Sequence, residues 1–377
     1  MKDKEIINEI YEDIANELNI SDNVFENARR SYKTLGEYLE NNIDYPIEVF
    51  PQGSMRLGTI IKPISEDDDY DLDAVCKVDY QISSPKKLKD LVGDTLKASA
   101  RYKKMLDTEG RRCWTLNYFE KSHFHMDILP SIPNLNNNKS ILITDKENDN
   151  YKFISSNPEA YADWFDLIQE NERSIIFQKK KMQYSNKVED LQKFGVRTTL
   201  QKTVQILKRH RDMKYINATD EERKCKPISI IITTLVGKMY SGNETIVDLI
   251  IKFCTSYEEY IEIKPNGDYF IANPVNADEN FADKWNTYPE RKDAFFKWVK
   301  SLKQDLITNN FMIFDDIIDK TDYLKKIFGN DIVANVFKKR NSNMTEKYID
   351  TKNIATLTNK KTETKVKEHT FFGKEIF

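Results

Sequence analysis

Between Pro51 and Asp79 the chain reads PQGSMRLGTIIKPISEDDDYDLDAVCKVD, and within it Tyr70-Asp71-Leu72-Asp73-Ala74-Val75 alternates apolar and acidic residues. Period two of this kind marks a half-buried strand. Successive side chains leave opposite faces, so Tyr70, Leu72 and Ala74 turn toward a core while Asp71 and Asp73 share the other face. Two carboxylates held that close repel each other, and a divalent cation between them turns the cost into a binding site. The Gly53-Ser54 pair upstream suits phosphate, because glycine lets the backbone approach and a serine hydroxyl with nearby amides can hold anionic oxygens.

The competing reading makes Asp67 to Asp69, together with Asp71 and Asp73, a solvated acidic loop running into an edge strand. Glycine usage argues against it. Only 11 of 377 residues are glycine, about 3% against a usual ~7%, yet Gly53 and Gly58 fall within one six-residue stretch. A chain so poor in glycine that concentrates it here needs the backbone freedom.

A second alternating run follows at His123-Phe124-His125-Met126-Asp127-Ile128-Leu129-Pro130. It turns Phe124, Met126 and Ile128 inward and puts His123, His125 and Asp127 on the opposite face. If this strand lies beside 70–75, Asp127 becomes a third carboxylate. Three carboxylates and two substrate phosphates suit two Mg²⁺ ions about 3.5–4 Å apart. His125 is expected to contact phosphate or orient a ligand, since Mg²⁺ prefers oxygen.

Around this centre the chain reads as alternating helical and strand signals. Residues 1–42 carry two amphipathic helices with a cap at Ser21-Asp22-Asn23; they either brace the catalytic sheet or pack as ordinary helices. Pro85 to Tyr102 reads as one Lys-rich helix, 113–118 as a strand, and 131–150 as an exposed Asn/Asp/Lys-rich loop. A helix starting at Asn157-Pro158 is expected to run on to about Val188. It carries Lys179-Lys180-Lys181, read as a solvated face in preference to a nucleic-acid contact. Thr199 to Lys214 is a strongly periodic helix in which Lys208 is the best candidate for gripping a triphosphate. The apolar run 228–235 must be buried, a further helix covers about 283–307, and one or two more reach Arg340. From Asn341 the chain is polar and expected to be flexible, ending in the apolar cluster Phe371 to Phe377, which docks either on the chain's own body or on a partner.

Composition excludes several classes. A net charge of −3 argues neither for nor against nucleic acid, and no apolar run approaches the ~18 residues of a membrane span. The opening MKDKEIINEIYEDIANEL is too polar for a signal peptide. Cys76, Cys113, Cys225 and Cys254 lie far apart, with no C-x-x-C pair, so the expectation is a reduced cytoplasmic protein without a zinc ribbon.

These residues resemble the cGAS/DncV-like nucleotidyltransferases (CD-NTases) of the polymerase-β-type superfamily. The family pattern is a Gly-Ser turn, an acidic-hydrophobic-acidic strand and a later acidic residue. Here those are Gly53-Ser54, Asp71-Leu72-Asp73 and Asp127, which lies 54 residues after Asp73. SNPEAYADWF at 156–165, LQKTVQILKRHRD at 200–212, KPISIIITTL at 226–235 and NPVNADENFADKW at 273–285 look like the bacterial DncV-like branch. The likeness spans roughly residues 45 to 305.

The resemblance implies an α+β, bilobed fold with a mixed-sheet catalytic lobe and a mostly helical C-terminal lobe. Its expected parts are a helical spine at 1–44, the catalytic lobe at 45–195, the helical lobe at 196–340 and a tail at 341–377. It implies Asp71, Asp73 and Asp127 as catalytic and metal-binding residues for two Mg²⁺ or Mn²⁺ ions. Gln52, Gly53, Ser54, Lys208 and Ser229 would bind nucleotide, the last two as a lysine–serine pair 21 residues apart. The implied product is a cyclic di- or trinucleotide made from nucleoside triphosphates, adenine favoured, in bacterial anti-phage signalling. A regulatory partner could engage the C-terminal tail. No zinc insertion of the animal cGAS kind is present, so DNA sensing through one is not expected. The rivals are a template-independent nucleotidyltransferase with linear products or a macromolecular target, and a nucleotide-binding sensor without turnover.

Overall fold

The computed structural model of the chain describes residues 2–65, 70–118, 124–137, 140–183, 197–309 and 317–342. The acidic run at Asp67 to Asp69, His123 and the tail from 343 lie outside the described residues, as do the side chains of Lys179 to Lys181.

Helix α1 (Lys2–Glu17) is followed by α2 (Asp22–Asn42), whose first turn is capped by the Ser21 hydroxyl accepting from the Val24 amide. The sheet is built from β1 (Ile47–Gln52), β2 (Tyr70–Val78), β3 (Trp114–Tyr118), β4 (Phe124–Pro133), β5 (Ile141–Glu147) and β6 (Asn150–Ser156). Its order is β1-β2-β4-β5-β6, with β3 on the same edge of β4 as β5 but nearer the strand's start. Only β2 and β4 run parallel; the other pairs are antiparallel, so the sheet is mixed. The inward residues Leu72, Ala74, Phe124, Met126 and Ile128 are all buried, as their alternation predicts.

Two cores flank the cleft. One face of the sheet packs against α2, α4 (Pro85–Ala98) and α5 (Ala100–Met105) through Leu35, Leu39, Val92, Leu96 and Tyr102. The larger core belongs to the helical lobe. There α6 (Pro158–Leu167), α8 (Thr199–Lys214), α10 (Ser229–Met239), α11 (Ile246–Ser256) and α13 (Pro289–Lys303) meet around Phe165, Leu207, Leu235, Phe253 and Phe295. Helix α1 joins this second core through Ile7, Ile10, Tyr11 and Ile14, whereas α2 packs on the sheet. The two N-terminal helices thus hold opposite lobes.

Several elements depart from the sequence expectations. Residues 131–150 are no loop: β4 continues to Pro133, and β5 and β6 form a hairpin whose turn holds Asn148 at φ 55°. The buried Ile141 and Ile143 supply the alternation, which the surrounding Asn, Asp and Lys residues obscure. The helix expected from Pro85 to Tyr102 breaks at Ser99, which caps α5. The helix after Pro158 also breaks, at Ile168–Gln169, and resumes as α7 (Glu170–Gln183). Pro289 likewise splits the 283–307 segment into α12 (Asp283–Thr287) and α13. The run 228–235 is the start of α10, and Ile228, 47% exposed, stands clear of the core it was expected to enter.

Short strands β7 (Glu262–Ile263), β8 (Tyr269–Phe270), β9 (Ala272–Asn273) and β10 (Asn276–Asn280) lie between α11 and α12; β9 and β10 pair and carry acidic side chains toward the cleft. Helix α14 (Ile317–Phe328) and a further helix at 330–342 close the described chain, the latter tied to α1 by Arg340 with Asp13 and Glu9. No helix among the described residues is long and apolar enough to cross a membrane.

Candidate active site

Asp71 and Asp73 leave β2 on the face opposite the α2–α4 core, and the parallel register sets His125 beside Asp71 and Asp127 beside Asp73. One carboxylate oxygen from each of Asp71, Asp73 and Asp127 lies within 4.8 Å of the others. The two alternating runs are therefore neighbouring strands, the condition under which Asp127 becomes the third carboxylate.

The three carboxylates differ in surroundings. His125 Nε2 stands 3.3 Å from Asp71 Oδ1, and its hydrogen bond holds that carboxyl below the usual carboxylate range. Asp73 goes the other way. Burial first, then the charges of Asp71 and Asp127, push it up to about 7. Asp127 faces Thr115 across the β3–β4 pair, and the Thr115 hydroxyl donates to its Oδ1 at 2.5 Å. Tyr32 on α2 donates to the Asp73 carbonyl at 3.0 Å, tying the strand to its supporting helix.

The Gly53-Ser54 turn ends β1 and opens α3 (Gly53–Leu57). Gly53 has φ 61°, and a Cβ there would stand 1.9 Å from Asp73 Oδ2. Both facts demand glycine: the conformation is left-handed, and the carboxylate lies directly against the backbone. Gly58 caps the far end of α3 at φ 67°, and its missing side chain admits Arg197 and Gln201.

Across the cleft, α8 begins with a capping box at Thr198 and Gln201 and delivers Lys208 to the site. Lys208 is buried and donates through Nζ to the Thr59 carbonyl at 3.0 Å. Burial, with the nearby charge of Arg211, pushes its ammonium down to about 8. Arg211, one turn on, donates to the Pro227 carbonyl at 3.0 Å and to Ser229 Oγ at 2.9 Å. Gly53, Ser54, Asp71, Asp73, Lys208 and Ser229 line one cavity of about 950 Å³. Gln52 does not; it lines a second cavity that shares Gly53 and Asp73.

Arg211, Asp212 and Tyr215 also face the first cavity, and the sequence reading gave them no role. The signal was present, since they follow Lys208 at i+3, i+4 and i+7, one face of a helix. Tracing that face from Lys208 would have found them.

The acidic group fits a hard divalent cation. Its donors are all carboxylate oxygens, and Asp73 is raised by burial and then by the negative charges of Asp71 and Asp127, which a cation would offset. The neighbouring imidazole is engaged with Asp71.

Comparison with known proteins agrees with this geometry. Residues 6–169 match the Second Messenger Oligonucleotide or Dinucleotide Synthetase domain. A c-di-GMP synthase of Roseivirga ehrenbergii is 28% identical over 329 residues, covering 84% of this chain and 82% of that protein. The CD-NTase CdnG of Bradyrhizobium diazoefficiens, solved with GTP, shares the fold at a TM-score of 0.69, with 18% identity over 89% of this chain and 99% of that one. CdnC of E. coli MS115-1 with ATP gives a TM-score of 0.58 at 14% identity, over 85% of this chain and 97% of that one. GTP-bound DncV of Vibrio cholerae gives 0.52 at 17% identity, over 87% and 80%. Domain, relative and fold converge on a cyclic-oligonucleotide synthase similar to the bacterial cGAS/DncV-like nucleotidyltransferases.

Proposed function

We propose that the chain joins two guanosine triphosphates into a cyclic dinucleotide, with Asp71, Asp73 and Asp127 as its catalytic carboxylates. The observation that carries the reading is that Asp71 and Asp73, with Asp127 grouped beside them, meet Lys208 and Ser229 around one cavity. Guanine is preferred to the adenine that the resemblance suggested, because the curated relative is a c-di-GMP synthase.

In this reading Ser54, Lys208 and Ser229 hold the donor triphosphate. Lys208 enters with its charge weakened by burial, and an arriving triphosphate strengthens it. Arg211 fixes the Ser229 hydroxyl toward the cavity. The three carboxylates would hold Mg²⁺ or Mn²⁺, two ions, which when bound neutralise the triphosphate and acidify the acceptor hydroxyl. Asp127, oriented by Thr115, takes the proton of the acceptor ribose hydroxyl as that oxygen attacks the α-phosphorus in line. The bond to the β-phosphate oxygen breaks and pyrophosphate leaves. A second transfer, with the roles of the two nucleotides exchanged, closes the ring and releases a second pyrophosphate.

The same reading puts the enzyme in the cytoplasm, in anti-phage signalling. Control by a partner protein fits it as well, since the E. coli CdnC was solved as a complex with HORMA-deltaN.

The test is incubation of the purified protein with labelled ATP, GTP, CTP and UTP and either metal, with products resolved by mass after phosphatase treatment. A phosphatase-resistant guanine product with no free end, absent from the Asp71→Asn/Asp73→Asn protein, is the expected result. Linear products would make the enzyme a chain extender, and a ring without guanine would overturn the base assignment.

A further inference from the structure

The second cavity, of about 570 Å³, opens on the far side of Asp73. Gly53, Asp73 and Ile230 line both cavities, so a nucleotide in the second would present its ribose to Asp73. Its walls are unlike those of the first. The apolar side chains of Ile143 and Ile154 come from the sheet, and those of Ile228 and Ile230 from the first turn of α10. These are surfaces for a flat purine, and they give the exposed Ile228 a use.

Among the charged groups that line this slot, Glu279 and Arg112 reach it from opposite lobes. Glu279 on β10 accepts through Oε2 from Asn273 Nδ2 at 2.6 Å, and among the described residues no hydrogen bond engages its Oε1. Burial raises its carboxyl, which the Asn273 hydrogen bond and the charge of Arg112 oppose. Arg112, from the sheet lobe, donates through Nε to the buried Asp145 at 3.0 Å. Arg111 holds that carboxylate with two further bonds at 2.7 and 2.8 Å, which fixes the anchor of Arg112.

Guanine is the base whose Watson–Crick edge offers two adjacent donors, N1–H and the 2-amino group, with O6 and N7 acceptors beside them. A carboxylate matches the first pair and a guanidinium the second. Adenine presents one donor and one acceptor on that edge, and its N1 lone pair would face the carboxylate. We infer that Glu279 selects guanine for the accepting nucleotide by taking hydrogen bonds from N1–H and the 2-amino group, while Arg112 donates to O6 and N7 of the same base. This rests on the guanine reading above.

Glu279→Gln tests it, because an amide keeps the Asn273 contact and pairs with adenine, donating to N1 and accepting from the 6-amino group. With equal ATP and GTP, the wild-type ring is expected to carry guanine. The variant is expected to lower the guanine-to-adenine ratio by about ten- to a hundredfold, the discrimination of one bidentate contact. Asp278→Asn removes a neighbouring charge from the same cavity and is expected to leave the ratio within about twofold. Inosine triphosphate, which lacks the 2-amino group, gives a second readout on the wild-type protein alone: it should be used about tenfold less well than GTP. Equal use of the two nucleotides, or a guanine ring from Glu279→Gln in undiminished ratio, would overturn the role of Glu279 while leaving the guanine product in place. A wild-type ring without guanine would overturn both.

Discussion

The two walls of the cleft are charged oppositely and prepared differently. On the sheet wall, Asp71, Asp73 and Asp127 crowd one another, and Asp73 is driven to about 7 by its burial and by the charges of the other two. On the helical wall the polar groups are already engaged: Lys208 with the Thr59 carbonyl, Arg211 with the Pro227 carbonyl and Ser229. One wall gains stability only when a cation arrives; the other is organised before any ligand does. A cleft of this kind assigns chemistry to the sheet and grip to the helices.

If that division is right, substitutions on the two walls must separate kinetically. Asp71→Asn or Asp73→Asn removes a ligand for the reacting centre, and product formation should fall by about 10³-fold or more in a pyrophosphate-release assay. Thermal stability without metal should hold or rise in Asp73→Asn, which relieves repulsion, and fall slightly in Asp71→Asn, which gives up the charge that His125 favours. Gly53→Ala is the next largest. Its Cβ would occupy the space of Asp73 Oδ2, so the carboxylate must move, and a misplacement of about 1 Å at a reacting centre costs on the order of 10²-fold. The left-handed backbone adds about 1–2 kcal/mol of instability. A fully active Gly53→Ala protein would show that Asp73 need not lie against the turn.

The helical wall should answer in KM. Lys208→Met keeps the buried stem and deletes the charge, so KM for the nucleotide should rise about ten- to a hundredfold, the worth of a charge-assisted hydrogen bond, with a smaller change in kcat. Unfolding temperature should hold or rise, because an ammonium no longer has to be buried. A collapse of kcat with KM unchanged would break the comparison and move Lys208 to the reacting centre.

The walls also differed in how far the sequence disclosed them. Asp71, Asp73 and Asp127 were legible because period-two alternation is local, and two such strands have few ways to share a core. The closeness of Lys208 to Ser229 was not. It depends on how α8 packs against α10, which neither helix states alone, and only the family resemblance joined them. The same limit hid the allegiance of α1. Its apolar spacing resembles that of α2, yet one buries Ile10 and Ile14 among the lobe helices and the other buries Leu35 and Leu39 against the sheet. The β5–β6 hairpin was lost for a different reason, since polar neighbours diluted a short alternating run below notice.

The smallest effect is the most direct probe of the sheet wall. Asp73 has a folded pKa of about 7 against an ordinary 3.8, so between these values the folded protein holds a proton that the unfolded chain has released. Stability of the metal-free protein from this group is therefore greatest below about pH 4, declines as pH rises toward 7, and is flat above. A divalent cation must displace that proton at about pH 5.5 but not at about pH 8. The rise in unfolding temperature on adding Mg²⁺ should thus be larger at the higher pH, by about a few degrees, and the difference should vanish in Asp73→Asn. Scanning fluorimetry at the two pH values, with and without metal, measures it. An equal rise at both would mean that the carboxylates are already ionised together. The sheet wall would then be as well prepared as the helical one.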